Sequence, residues 1–237
     1  EGSSSTNLGL MFLVAFIPGM LAVLTSFFLK DKSEANPVKK ISVPFFSFLN
    51  YWRESPKEYK KLVMGLLIFS LFNSSDIFLL LKARESGLDD TSVIGVYIFY
   101  NLVYALFSFP MGMMGDKFGL KSIFIFGLSL FALVYFGMTL QVSIYYFYIL
   151  FLLYGIYAAS TEGISKAWIS NITNKKDIAT AIGTYSGLQS ICALLSSTMA
   201  GLVWYRWGAS ATFFITGSVT VAVIIYFLWI PKPESTS

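Results

Sequence analysis

The chain has 237 residues, of which 56% are hydrophobic, 18% aromatic and only 13% charged. Because soluble domains carry about a quarter charged residues, this composition excludes an ordinary soluble protein and indicates a polytopic membrane protein. The net charge of +4 requires no nucleic-acid partner, since basic loops kept on the cytoplasmic side of a membrane account for it. Histidine is absent and there is one cysteine, which excludes a histidine metal site, a histidine pH switch and an intramolecular disulfide. We expect no cofactor and no bound metal.

Hydrophobic segments along the chain predict its architecture. A hydrocarbon core about 30 Å thick needs roughly 20 apolar residues for each helix that crosses it. Seven segments meet this requirement, so the sequence predicts an all-α polytopic membrane protein with seven transmembrane helices. In chain order they are Leu8–Leu29, Leu62–Leu81, Thr91–Met114, Ser122–Leu140, Ser143–Glu162, Ile178–Trp204 and Ala211–Ile230.

One long polar segment, residues 30–61, separates the first predicted span from the other six. Prolines punctuate it, and apolar and aromatic residues cluster near its middle, from Phe45 to Trp52. Such a cluster predicts an amphipathic helix that lies on the inner leaflet. The sequence therefore divides into a single helix at 1–29, a cytoplasmic linker at 30–61 and a six-helix transmembrane domain at 62–237.

Lysine and arginine positions predict the orientation, because short cytoplasmic loops retain positive charge. If the first span begins outside, every basic residue except Lys82, Arg84 and Arg206 falls on the inner side. We therefore expect the amino terminus of this chain outside and its carboxyl terminus in the cytoplasm.

A charged turn between the third and fourth predicted spans carries the most specific motif. Residues Gly112 to Lys121 read Gly-Met-Met-Gly-Asp-Lys-Phe-Gly-Leu-Lys, which fits the pattern G-x-x-x-D-[RK]-x-G-x-[RK]. This pattern at a membrane surface resembles the signature loop of the major facilitator superfamily of transporters. Three further stretches, Asn73–Ala83, Thr161–Ala167 and Ala200–Gly208, look like one bacterial branch of that superfamily.

The resemblance implies both an architecture and a function. The chain is similar to the second half of a twelve-helix transporter, from the sixth helix through the central loop to the twelfth, with residues 62–237 as the C-terminal six-helix bundle. Its implied partners are the N-terminal half of the same transporter, membrane lipid, a small-molecule substrate and protons. The resemblance implies a secondary active transporter of a bacterial inner membrane, not an enzyme, that exports small molecules by proton exchange and alternating access.

Asp76 is the candidate coupling residue. An ionisable side chain within a span costs a few kcal/mol unless it faces a polar interior, so Asp76 is expected to bind a proton or a cationic substrate. Asn73 precedes it by three residues and is predicted to share its helical face. Alternatively, Asp76 only hydrogen-bonds a neighbouring helix near Asn101 or Tyr104.

Further polar residues lie in spans that the resemblance expects to line a cavity. Aromatic walls with a few hydrogen-bonding groups suit an amphipathic substrate, although packing in the core remains the alternative for each tyrosine. These candidates are Asn101, Tyr104, Tyr154, Tyr157, Tyr185 and Gln189.

Charges at the inner membrane surface form the candidate gate. Glu162 and Lys166 are four residues apart at the predicted inner end of their helix, which allows an intrahelical ion pair. The resemblance assigns a cytoplasmic gate to Gly112, Asp116, Lys117, Gly119, Lys121, Glu162 and Lys166. The alternative is that these charges only anchor helix ends at the surface.

Two other classes of membrane protein remain as alternatives. Seven spans with an external amino terminus also suit a seven-helix receptor, although the last span, Ala211–Ile230, has no lysine for a retinal Schiff base. An intramembrane aspartyl protease needs two aspartates at similar depth. Asp76 and Asp116 are predicted at different depths, which counts against this class.

Overall fold

The computed structural model describes residues 16, 20, 23–25, 47–140 and 144–230, and the side chains of all of these except 47–50 and 144. The chain forms two compact units, Glu1–Val43 and Pro44–Ser237. In the first unit the few described residues are helical. Most of the predicted span Leu8–Leu29 lies outside the described residues, as do the linker from 30 to 46 and the segment 231–237.

The second unit is built from helices. They are α1 (Ser47–Glu54), α2 (Lys57–Phe72), α3 (Ile77–Glu85), α4 (Asp90–Phe118), α5 (Leu120–Gly137), α6 (Ile144–Asn171) and α7 (Ile178–Trp229). The main packing pairs are α4 with α6, α5 with α6, α2 with α7, and α5 with α7. The described residues include five helices that are long and apolar enough to cross a membrane, with α2 and α3 together forming one of them. This confirms the predicted all-α membrane protein.

Helix α7 is too long for a single crossing. At about 1.5 Å per residue, its 52 residues would extend about 78 Å, more than twice the thickness of a hydrocarbon core. Gly208 interrupts it with φ 82° and ψ 174°, a backbone conformation that favours glycine because it has no Cβ. The two helical parts, 178–207 and 209–229, correspond to the separately predicted last two spans.

Two predicted spans differ in detail from the helices of the structure. The span Leu62–Leu81 is not one continuous helix, since α2 ends at Phe72 and α3 begins at Ile77. The run Asn-Ser-Ser-Asp at 73–76 explains the break, because these short polar side chains compete for backbone hydrogen bonds. The helix predicted to end at Glu162 continues to Asn171, since the small, apolar and polar residues that follow are compatible with helix.

A helix forms at the predicted amphipathic segment. The side chains of Tyr51 and Trp52 on α1 are half-buried and meet the ring of Tyr59 edge-on, with centroids 5.3 and 6.3 Å away. Burial raises the pKa of Tyr51. The apolar side of α1 therefore packs in part against the helical unit itself.

Glycines allow the closest helix contacts around α6. A Cβ at Gly155 would lie 2.8 Å from the side chain of Val103 on α4, and one at Gly127 on α5 would lie 2.7 Å from Thr161. Small residues at such points let helix backbones approach, which is the main source of packing between membrane helices. Helix α6 thereby holds α4 and α5 together.

We expect Gly155→Ala to destabilise the protein by about 1–3 kcal/mol, because the added methyl group overpacks the contact with Val103. Gly163→Ala is the matched control on the same helix, since a Cβ there meets nothing within 4 Å. It should be neutral or slightly stabilising. Thermal unfolding of the two variants in detergent measures the difference, and equal melting temperatures would contradict the contact.

Candidate functional site

The break between α2 and α3 lies against α6 and is held by two tyrosines. The hydroxyl of Tyr154 donates a 2.6 Å hydrogen bond to Oδ1 of Asp76. The amide nitrogen of Asn73 donates to the hydroxyl of Tyr157 at 3.1 Å. Tyr154 and Tyr157 are three residues apart on one helix and both are buried. Asn73 and Asp76 thus meet the same face of α6, although they do not share a face of one helix as predicted.

Asp76 also occupies a particular place in the backbone, immediately before the first residue of α3. The positive end of a helix dipole lies at this position of a helix and attracts negatively charged groups. The Tyr154 hydroxyl adds a charge-assisted hydrogen bond. Among the described residues, the ion pair within 4 Å is that of Arg84 with Asp90, at 3.0 Å. No lysine or arginine of this part of the chain therefore pairs with Asp76.

An aromatic cluster fixes the two tyrosines. Tyr154 has ring centroids of both Tyr100 and Tyr157 at 5.1 Å. Phe131 lies 4.7 Å from Tyr157 and stacks on Tyr135 at 4.0 Å. Offset and edge contacts of this kind add stability beyond the burial of area. The break is therefore held by side chains that have little freedom to move.

Sequence reasoning missed part of this cluster. Ser74 and Tyr135 are buried and were not among the predicted site residues. Tyr154 was a cavity candidate with core packing as its alternative, and its contact with Asp76 was not predicted. The four consecutive polar residues inside an apolar span were the available signal for a helix break. The sequence gives no reason to choose Tyr154 or Tyr135 as contacts of the break, because the chain contains 14 tyrosines.

Asn101 and Tyr104, the predicted partners of Asp76, lie elsewhere. The Asn101 amide donates to the carbonyl of Tyr97 on its own helix at 2.8 Å. The hydroxyl of Tyr104 donates to Oε2 of Glu162 at 2.8 Å, which links α4 to α6. Gln189, another cavity candidate, is half-buried on α7.

Helix α4 carries a stripe of partly exposed polar side chains. Tyr97, Asn101, Tyr104 and Ser108 are spaced four, three and four residues apart, which places them on one side of the helix. Glu162 of α6 is exposed beside this stripe. Exposed apolar residues such as Leu102 occupy a neighbouring side. Polar side chains within a membrane span generally face water or protein rather than lipid, so we expect this side of α4 to face away from lipid.

The signature turn is tight and close to α6. Helix α4 ends at Phe118, Gly119 has φ 90°, and α5 begins at once with Leu120. A Cβ at Gly115 would lie 2.9 Å from the Ile164 side chain of α6. Gly112 has nothing near its Cβ position.

The predicted gate charges are spread over several places. Glu162 contacts Tyr104 and is not ion-paired with Lys166, and nine helical residues follow it, so it does not lie at the end of α6. Asp116 is exposed. Lys117 lies over the ring of Phe118, 5.4 Å from its centroid. The structure thus leaves Asp116, Glu162 and Lys166 without a mutual ion pair within 4 Å.

Lys121 has a position of its own. Its ammonium donates to the backbone carbonyls of Leu228 and Ile230, at the carboxyl end of α7. The last carbonyls of a helix have no partner within the helix, and a cation there also complements the helix dipole. Lys121 therefore anchors the last helix to the signature turn.

The sequence of this chain is similar to those of membrane transporters. The family model for the Major Facilitator Superfamily matches residues 62–237. An uncharacterised MFS-type transporter from Methanocaldococcus jannaschii is 32% identical over 200 residues, which cover 82% of this chain and 49% of that protein. An uncharacterised transporter from Buchnera aphidicola subsp. Schizaphis graminum is 25% identical over 138 residues, 57% of this chain and 34% of that protein. The chain spans about half or less of the length of these relatives.

We expect Lys121→Ala to lower stability by about 1–2 kcal/mol, because it removes charged hydrogen bonds to the end of α7. Lys117→Ala, four residues earlier in the same turn, removes the same charge from an exposed position and should change stability little. Thermal unfolding in detergent compares them. A loss of equal size in both variants would show that only the net charge of the turn matters.

Proposed function

The chain belongs to the major facilitator superfamily of membrane transporters, and we propose that it forms the C-terminal half of a secondary active transporter that exports small molecules in exchange for protons. The family and the transporter relatives identify a transporter rather than an enzyme. They set aside the alternatives of a seven-helix receptor and an intramembrane aspartyl protease.

The observation that carries the coupling proposal is the hydrogen bond between Tyr154 and Asp76 at a helix break. As a carboxylate, Asp76 accepts the Tyr154 hydroxyl and carries a charge that the membrane interior disfavours. Protonation removes this charge and weakens the bond, which loses its charge assistance. Because the same bond ties the break to α6, binding of a proton would change how firmly α2 and α3 are held. Proton binding is thereby linked to helix movement.

The polar stripe of α4 supplies the substrate side of the proposal. Asn101 and Tyr104 are partly exposed, and Glu162 beside them carries a carboxylate. A wall with aromatic area and a few polar groups fits a small amphipathic molecule. Tyr157 is buried against Asn73, so it belongs to the coupling site rather than to this wall.

The signature turn supports a cytoplasmic gate. Gly115 lets the end of α4 pack against Ile164 of α6, so a movement of α6 would displace the neighbouring residues Asp116 and Gly119. In this proposal Lys121 anchors the last helix, while Asp116 and Lys166 pair only in another conformation. Two arrangements separated by a few kcal/mol suffice for such switching.

Asp76→Asn tests the coupling. In the full-length transporter, with a substrate identified by growth protection, this variant should keep downhill exchange and lose accumulation driven by a pH gradient. The reason is that an amide cannot carry the proton. Asp90→Asn makes the same chemical change at an exposed ion pair and should leave both activities intact. Uphill transport by Asp76→Asn at the unaltered rate would reduce Asp76 to a structural hydrogen-bonding group.

The proposed orientation has its own test. In a Cys192→Ala background, a single cysteine placed at Asn174 should resist an impermeant thiol reagent in intact cells, because the loop between α6 and α7 is proposed to be cytoplasmic. Cysteines at Ser86 and Ser210 should react, since both are proposed to lie outside. The reverse labelling pattern would overturn the orientation and the assignment of the Gly112–Lys121 turn to the inner surface.

A further inference from the structure

Oxygen atoms without a hydrogen-bond partner collect at the break between α2 and α3. Oδ1 of Asn73, the hydroxyl of Ser74 and the hydroxyl of Tyr135 are buried and unpaired among the described residues. Ser74 is 4% exposed and Tyr135 is 0% exposed. Each buried unpaired group costs about 1–3 kcal/mol, so three of them around one helix break require a partner.

These atoms belong to the same helix break as Asp76 or lie beside it. Asn73, Ser74 and Asp76 belong to one four-residue segment. The side chains of Ser74 and Tyr154 lie close enough to the Tyr135 hydroxyl to interact with it, although no hydrogen bond of good geometry forms there, and Asp76 lies within its electrostatic range. Tyr154 uses only Oδ1 of Asp76, which leaves the second carboxylate oxygen to another ligand.

The backbone adds further oxygen atoms at the same point. The backbone N–H of Ser74 donates to the carbonyl of Phe72, and the backbone N–H of Ser75 donates to Oγ of Ser197. In a continuous helix these two N–H groups would pair with the carbonyls of Ser70 and Leu71. Those carbonyls are therefore released at the negative end of α2, where the helix dipole favours a cation.

We propose that this oxygen cluster binds a sodium ion, held by Asp76, Asn73, Ser74 and Tyr135 together with carbonyls at the end of α2. The inference rests on the proposed function, because it gives the Asp76 coupling site a second ion. Carboxylate, amide, hydroxyl and carbonyl oxygens are ligands for hard cations. Carbonyls released where a membrane helix unwinds coordinate sodium ions in transporters of other folds.

The charge of the site selects a monovalent ion. Asp76 is the one acidic side chain at the break, and the described residues contain no group of three or more His, Cys, Asp or Glu side chains suited to a metal. One sodium ion would balance the single carboxylate and leave no net charge in the membrane interior. It would also give the three unpaired oxygens a partner, since a hydroxyl can offer a lone pair to a cation.

Two adjacent serines provide the matched test. Purified full-length transporter is tested for saturable binding of radioactive sodium, and for its melting temperature in sodium chloride against choline chloride. We expect sodium to bind and to raise the melting temperature. Asp76→Asn should abolish binding, whereas Ser74→Ala and Tyr135→Phe should each weaken it about tenfold. Ser75→Ala should bind like the unaltered protein, because Ser75 is exposed and its hydroxyl accepts the N–H of Ile77.

The choline arm controls for folding. Without sodium, the Ser74 and Tyr135 hydroxyls have only weak contacts to lose, so removing either should lower the melting temperature little. Absence of saturable sodium binding in the unaltered protein would overturn the inference and indicate an ordered water at the break. An equal loss of sodium affinity in Ser74→Ala and Ser75→Ala would also overturn the inference.

The proposed function and the sodium site can fail separately. If substrate accumulation driven by a pH gradient depends on Asp76 but the protein binds no sodium, the sodium site is wrong and the proposed proton exporter is supported. If sodium binding depends on Asp76 but transport does not respond to the pH gradient, the proposed proton exporter is wrong and the sodium site is supported.

Discussion

The hydrogen bond from Tyr154 to Asp76 is the interaction on which the rest of the site depends. In a membrane, a helix that stops and restarts exposes backbone groups that lipid cannot satisfy. The four residues between α2 and α3 create such a break, and Tyr154 and Tyr157 of α6 supply the contacts that hold it. These two hydrogen bonds fix the break between α2 and α3 against α6 and form a junction there. They also place the carboxylate where its charge state affects that junction.

The packing around α6 makes the junction rigid enough to transmit a change. Gly127 and Gly155 bring α5 and α4 against α6, and the ring contacts of Tyr100 and Phe131 leave the two tyrosines little freedom. A close-packed interface responds to a local change by moving as a unit rather than by deforming gradually. In the proposed mechanism, a change in the charge of Asp76 is therefore met by a shift of α6 rather than by a local rearrangement. The same helix carries Glu162, and Ile164 against the signature turn.

The fold class and the family could be predicted from the sequence, because both rest on strong local signals. Hydrophobic length identifies the membrane helices, and the Gly112–Lys121 motif identifies the family. The partner of Asp76 could not be predicted, since choosing Tyr154 over Tyr104 requires the relative rotation of helices distant in sequence. The sequence predicts a continuous helix across the break because the polar segment is short and its flanks are strongly apolar. The contact of Lys121 with the end of α7 could not be predicted, because the motif contains no information about where the last helix ends.

Asp76 and Glu162 show how environment separates two carboxylates of similar chemistry. Each accepts one tyrosine hydroxyl, at 2.6 and 2.8 Å respectively. Asp76 lies at a helix start beside buried side chains and is itself partly buried. Glu162 is exposed beside the α4 stripe, where water or another molecule can solvate it without displacing packed side chains. In the proposed mechanism the packed surroundings of Asp76 favour a small ion, whereas exposure lets Glu162 meet ligands of many shapes.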